Sequence, residues 1–576
     1  MSYNIDMDPE NKITYFAETD ARSKKVKFGI KSEDRLRHIY SIGKTGMGKS
    51  TMLENMAIQD IQNGEGMAFL DPHGKTADLL LDYIPEERIK DVVYFAPFDT
   101  DYPISFNVME DVGPERRHLV VSGLMSAFEK IWVDAWSARM AYILQNTLAA
   151  LLEYPDATML GISRMFSDKS YRQKVVDNLT DPTVKSFWVD EFAKYTDRYA
   201  QEATPAIQNK VGQFTSNPLI RNIIGQSKST FDIREIMDEK KIFIVNLSKG
   251  LVGENNANLL GSMIVTKIYL AAMSRADANP KELATLPNFY LYVDEFQSFA
   301  NKSFADILSE ARKYKLSLNI THQYIEQMEE EVRAAVFGNV GTMIAFRVGS
   351  FDAEILEKEF APVFTMEDII NLGFVQIYLK LMIDGVASQP FSATTLPPVP
   401  KPEVSFRKEV VAMSRKNYTR PKEEVEQEIK EWHGANTSQK KIGQERKKET
   451  PNTRHETRKQ ELKKEEPKIK ATNFNNIRQT VPVKTASLED LKRKNKDRGK
   501  EPSKENVNAL KEAIEKAKRN TKHDTKHDTN TQMNANDTNK KEESVKEKSS
   551  KPQVTSSKPS NREVPEDVLR KILKGE

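Results

Sequence analysis

At 576 residues the chain is too long for one hydrophobic core, and about 150 residues per domain predicts three or four units. The absence of cysteine excludes disulfides and thiolate metal sites and fits a reducing compartment. A net charge of +3 hides an asymmetry: residues 401–576 hold 45 Lys+Arg against 30 Asp+Glu, leaving 42 against 54 in residues 1–400, so an acidic body carries a basic tail.

The first residues, "MSYNIDMDPENK", contain no apolar signal region, and no unbroken run of about 18 apolar residues follows. The expectation is a cytoplasmic protein with no transmembrane segment of its own, brought to the inner membrane, if at all, by partners. Continuous β-rich apolar runs then recur: "HIYSI" at 38, "GMAFL" at 66, "DVVYFA" at 91, "KIFIVNL" at 241, "NFYLYV" at 288, "LSLNIT" at 316 and "TMIAFRV" at 342. Runs without alternation suit strands covered on both faces, and helical periods separate them, as in Leu53, Met56, Ala57 and Ile61. The fold class is therefore α/β with a mostly parallel sheet. "FVQIYLKLMI" and "VASQPFSA" bracket Asp384-Gly385, a hairpin signal.

From 113 to 235 the strand runs stop and helical patterns such as "WSARMAYILQNTLAALLEY" replace them, which predicts an all-helical insertion with Trp132 and Trp136 as packing residues. The expected division is 1–112 and 236–400 for the sheet domain, 113–235 for the insertion and 401–576 for a basic, largely disordered tail. Within the tail, Val425, Ile429 and Trp432 mark one short helix and Val507, Leu510 and Ile514 another. "KHDTKHDT" at 522 is a repeat too short for a solenoid, and "REVPEDVLRKILKGE" has the acid-first, base-last order of a docking helix.

Gly43, Lys44, Thr45, Gly46, Met47, Gly48, Lys49 and Ser50, followed by Thr51, fit the G-x-x-x-x-G-K-[ST] pattern (Walker A) without a gap. Glycines let backbone N–H groups curl around phosphate oxygens, and the next helix presents its positive end. Lys49 would reach the β- and γ-phosphates, and Ser50 would offer its hydroxyl to Mg²⁺. Hydrolysis also needs an acid at a strand end, and "NFYLYVDEFQSF" supplies Asp294 for the metal and Glu295 to activate water. "LSLNITHQ" ends with Gln323, a γ-phosphate sensor or a water-orienting amide. Arg312, in "SEARKYKLSL", is either a surface arginine or a finger reaching a neighbour's nucleotide, and Arg347 in "AFRVGSFDA" is a second candidate. In "FLDPHGK" Asp71 either supports the metal or forms the turn before Pro72, and His73 has no spaced partners for a zinc site. No N-K-x-D guanine reader and no "LSGGQ"-like element occurs, so ATP is expected rather than GTP, and a transporter cassette is not.

Together "HIYSIGKTGMGKST", "FLDPHGK", "YLYVDEFQSF", "EARKYKLSLNITHQY" and "FGNVGTMIAFRVGSFDAE" resemble the TraG/TraD-like coupling ATPases of type IV secretion and conjugation, in the FtsK/HerA superfamily, over about residues 25 to 400. The resemblance implies a RecA-like P-loop fold with an inserted all-α domain. It also implies a ring, usually a hexamer, in which ATP and Mg²⁺ bound between subunits drive loops along DNA. Carried over, Lys49 and Ser50 bind nucleotide and metal, Asp294 holds the metal, Glu295 activates water, Gln323 senses and Arg312 acts in trans. The departure is at the start, where too few residues precede Gly43 for the N-terminal anchor of many coupling proteins. Protein-moving secretion or pilus ATPases, and an ATP-gated adaptor recruiting a relaxase-like cargo through the tail or the helical domain, are the alternatives. The tail reads either as a salt-sensitive DNA contact or as a solvating linker.

Overall fold

The computed structural model describes residues 12–20, 24–133 and 136–445, without the side chains of 197–203, 303 and 434–445. The helix expected around Val507, the repeat at 522 and the C-terminal docking helix lie outside the described residues.

Thirteen strands occur among the described residues: β1 (Ile13–Thr19), β2 (Lys27–Lys31), β3 (Ile39–Ile42), β4 (Gly66–Asp71), β5 (Val92–Phe95), β6 (Ile242–Asn246), β7 (Phe289–Val293), β8 (Leu316–His322), β9 (Thr342–Ala345), β10 (Gln376–Lys380), β11 (Met382–Ile383), β12 (Val386–Ala387) and β13 (Phe391–Thr395). Eleven form one sheet in the order β2-β1-β13-β10-β9-β3-β8-β7-β4-β6-β5. From β9 to β5 every pairing is parallel, while β10, β13, β1 and β2 extend the sheet antiparallel. The seven continuous apolar runs are the seven parallel strands.

Most of these runs are predominantly apolar because they feed two cores; β8 is the exception, burying Ser317, Asn319, Thr321 and His322 as well. In β4, Met67 and Phe69 join Met52, Leu53 and Met56 of the helix Lys49–Gln62, and Ala68 and Leu70 join Met263 and Ile264 of the helix Glu254–Met273. Buried on both faces, such strands gain roughly 1.5–3 kcal/mol per large side chain, which favours apolar residues at successive positions over strict alternation. The hairpin expected at Asp384-Gly385 forms between β11 and β12, with φ of 51° and 77° at the two turn residues, as a two-residue primed turn demands.

Between β5 and β6 the described residues are helical, beginning with Pro114–Ile131 and Ala138–Glu153. This segment shares one apolar cluster with the sheet rather than enclosing its own: Trp132 stacks on Phe128 at 4.7 Å, and both belong to the cluster that holds Leu291 and Leu318. The ordered chain also passes the boundary expected at residue 400. Helices Arg407–Tyr418 and Lys422–Glu445 follow, and Val425 and Ile429 bury against Leu160 of the insertion. The second of these helices contains the short helix expected from Val425, Ile429 and Trp432. The stretch Glu254–Asp277 is long and apolar enough to cross a membrane, although Lys267 interrupts it, and 72% of its apolar window is buried inside the fold.

Candidate functional site

The central strand β3 ends at Ile42, and the chain turns sharply before the helix Lys49–Gln62. Gly46 and Gly48 sit at φ of 78° and 111°, where a side chain would be strained. Gly43 is fixed by proximity, since a β-carbon there would lie 2.5 Å from that of Phe346. Two hydrogen bonds tie the loop to the neighbouring strand ends: the Gly43 N–H donates to the His322 carbonyl (3.2 Å) and the Lys44 N–H to that of Arg347 (2.8 Å). No side chain caps the helix, so its first N–H groups face the loop's concavity. Lys44, Thr45 and Gly46 form the exposed rim, while Met47, Ser50 and Thr51 are partly covered. The buried Lys49 ammonium donates to the carbonyls of Gly43 (2.5 Å) and Lys44 (3.1 Å), filling the cradle from within. Burial lowers its pKa, and the carboxylates of Glu295 and Asp294 oppose that shift.

In the sheet β8 lies between β3 and β7, so its last residues stand between the cradle and the acids that follow β7. Asp294 accepts from the Ser50 hydroxyl through Oδ2 (3.0 Å), and from the Thr321 hydroxyl (2.6 Å) and the Glu295 N–H (3.0 Å) through Oδ1. Glu295 has a left-handed backbone, φ 49°, a conformation that costs a non-glycine residue about 1 kcal/mol or more. Its carboxylate is held at both ends: Oε1 accepts from the Gln323 amide (2.5 Å) and Oε2 from the Gln297 amide (2.5 Å). His322 is buried beside them, with Nδ1 3.3 Å from the Tyr40 hydroxyl and Nε2 without a partner. Burial, then the Lys130 and Lys49 ammonium groups, push its pKa down to about 3, so the ring is neutral.

Lys49, Ser50, Asp294, Glu295 and Gln323 are thus brought into one site. Arg347 joins them at the end of β9 through its backbone contact with Lys44. Arg312 does not: exposed, it lies just before β8, about 23 Å of strand from Gln323, too far to reach this cradle. Asp71 forms the turn, accepting from the N–H groups of His73 (2.7 Å) and Ala77 (2.9 Å). No group of His, Asp and Glu residues suited to an all-protein metal site occurs among the described residues. The sequence reading missed Thr321, His322, Gln297 and Lys130. Thr321 had a signal, because Ser317, Asn319 and Thr321 alternate with Leu316, Leu318 and Ile320 along β8.

A parallel sheet with a glycine cradle on its central strand, and acids on the next strand but one, defines a RecA-like P-loop fold. A family model described as "Type IV secretory system Conjugative DNA transfer" matches residues 10–338, and the chain belongs to that family, as a TraG/TraD-like coupling protein. No curated protein matches. Among solved structures, the plasmid coupling protein TrwB in complex with ADP and Mg²⁺ is 14% identical, with a TM-score of 0.50 over 69% of this chain and 98% of that one. TrwB with a non-hydrolysable ATP analogue gives 14% and 0.47 over 69% and 96%. VirB4 of Thermoanaerobacter pseudethanolicus gives 12% and 0.44 over 70% and 99%. At these identities the likeness to TrwB is one of fold.

Proposed function

We propose that the protein binds ATP with Mg²⁺, hydrolyses it, and uses the cycle to move DNA as a ring, most simply a hexamer. The observation that carries this is the meeting of Ser50 and Asp294 beneath the cradle, at 3.0 Å, with Glu295 next in the chain. A hydroxyl and a carboxylate at that separation suit a hard divalent cation held through oxygen, and the uncapped helix start suits the phosphates. The relative crystallised with ADP and Mg²⁺ has the same fold.

Lys49 has to leave the Gly43 and Lys44 carbonyls to reach phosphate oxygen, which makes its position a binding switch. Mg²⁺ held by Ser50 and Asp294 would supply positive charge against the phosphate oxygens. Glu295 is the proton acceptor for the attacking water. Both its oxygens are engaged by amides, and Gln323 frees Oε1 to meet the water when its amide turns to the γ-phosphate. Arg312 acts on a neighbouring subunit's nucleotide, a reading supported by its place at the far end of β8 from the cradle, while Arg347 serves its own subunit. The basic tail supplies nonspecific DNA contact, and any membrane or relaxase-like partner is met through the tail or the insertion.

The test is the ATPase rate of the full chain, alone and with single- or double-stranded DNA, at two salt concentrations. Stimulation that weakens with salt is expected, and none with either DNA would sink the translocase reading in favour of protein cargo. Glu295→Gln should keep nucleotide affinity and lose at least about 100-fold in kcat. Arg312→Ala mixed with wild type should lower activity more than in proportion to its share; a proportional decline removes the trans role.

A further inference from the structure

Lys130 is the penultimate residue of the helix Pro114–Ile131, the first of the insertion. A lysine at a helix end ordinarily turns to its own last carbonyls or to solvent. This one crosses to the loop after Glu295, donating to the Gln297 carbonyl (2.6 Å) and the Ala300 carbonyl. Among the described residues it makes no ion pair, although Glu129 beside it faces Lys302 at 3.4 Å. Burial pushes its pKa down to about 8. A covered ammonium bonded only to carbonyls is costly, and a methionine would fill the same space without that cost.

The loop is anchored elsewhere from the sheet side, by Lys249 on the Ser298 hydroxyl (3.0 Å) and by the Ser262 hydroxyl on the Phe299 carbonyl (3.3 Å). Gln297 itself is held at its backbone by Lys130 and at its side chain by Glu295, and among the described residues its buried Oε1 meets no partner. Nothing but the backbone position therefore orients the amide that occupies Glu295 Oε2. Resting on the assignment of Glu295 as the base, we propose that Lys130 and Gln297 are positioning residues that transmit the placement of the helical insertion to Glu295. A shift of the helix Pro114–Ile131 moves the Gln297 carbonyl, that moves its amide, and the amide resets the carboxylate. A partner bound to the insertion thereby adjusts the rate without touching nucleotide.

The test uses the full chain and the variants Lys130→Met, Lys130→Arg, Gln297→Ala and the Lys130→Met/Gln297→Ala pair. It reads kcat, KM for ATP, Mg·ADP affinity and melting temperature. Lys130→Met should lower kcat about tenfold with KM and Mg·ADP affinity within about twofold of wild type. Lys130→Arg should recover most of the loss. The double variant should be no slower than the worse single one, because both cut the same path. Multiplying losses, an equal fall in Mg·ADP affinity, or an unchanged kcat in Gln297→Ala overturns the relay, the last even if Lys130→Met fails to fold. An inactive wild type overturns the base assignment and the relay together, whereas an active wild type with indifferent variants overturns the relay alone.

Discussion

Thr321 shows how much of this site depends on side chains that no motif marks. Its hydroxyl donates to Asp294 Oδ1 at 2.6 Å and leaves Oδ2 directed at Ser50, so it fixes which oxygen faces the Ser50 hydroxyl, the pair proposed to hold Mg²⁺. Groups that orient a ligand in this way commonly change metal affinity about 10–100-fold when removed. Thr321→Val should therefore raise the Mg²⁺ concentration for half-maximal ATPase by about tenfold, and Thr321→Ser should restore it; a Mg²⁺ titration at saturating ATP decides. His322 makes a second prediction. Its folded pKa of about 3 lies below the ordinary 6.5, so between those values the unfolded chain binds a proton that the folded chain refuses. Stability contributed by the neutral ring is complete above pH 6.5 and declines as pH falls toward 3. Urea unfolding at pH 7 and pH 5 should show the decline, and His322→Asn should flatten it in part, since His38, lowered to about 4, acts in the same direction. Lys49, Ser50, Asp294, Glu295 and Gln323 were legible because short chemical patterns carry them. Lys130 was not, because its meaning is a contact across 167 residues that only packing creates.

Among the elements, most of the parallel strands were legible because burial on both faces favours continuous apolar residues, while β8 was legible from Leu316, Leu318 and Ile320 despite its buried polar positions. The β1–β2 pair escaped notice because an outer antiparallel ribbon carries exposed and buried residues in an irregular mixture, with a register shift between Tyr15 and Ala17. Beneath those strands lies a fully buried ion pair that nothing in the sequence announced. Arg35 forks onto Asp60 at 2.7 and 2.9 Å, donates to Thr14 and Tyr292, and stacks 3.6 Å over the Tyr290 ring. Deleting one partner of such a pair leaves a stranded charge, and Asp60→Ala should cost about 3–5 kcal/mol in urea unfolding. Asp60→Asn should cost less, because it still accepts from Arg35. Equal stability of Asp60→Ala and wild type would show that water reaches Arg35.

For the whole molecule, the acidic body does not stop where the basic composition begins. The helix Arg407–Tyr418 lies against β5, the outermost strand, and the Ser414 hydroxyl accepts from the Tyr94 N–H (2.9 Å) that the sheet leaves unpaired. Arg164 is held between the rings of Tyr171 and Trp432, at 4.6 Å from each, which ties the next helix to the insertion. A chain ending at residue 445 should accordingly melt close to the full-length protein. One ending at 400 should melt lower and aggregate, having lost the roughly 1.5–3 kcal/mol that each of Val425 and Ile429 gains by burial. Differential scanning fluorimetry with light scattering compares the two directly.

The strand order also sets a timetable for synthesis. β3 carries the cradle, yet its neighbours in the sheet are β8 and β9, and Leu316 opens β8 roughly 270 residues after Ile42 closes β3. At about 5–20 residues per second the cradle waits about 14–55 s on the ribosome before either flank exists. Until then its phosphate loop has neither the His322 nor the Arg347 carbonyl to hold it. Nucleotide therefore cannot template the early fold, and the newborn chain becomes competent to bind it only when the sheet is nearly finished.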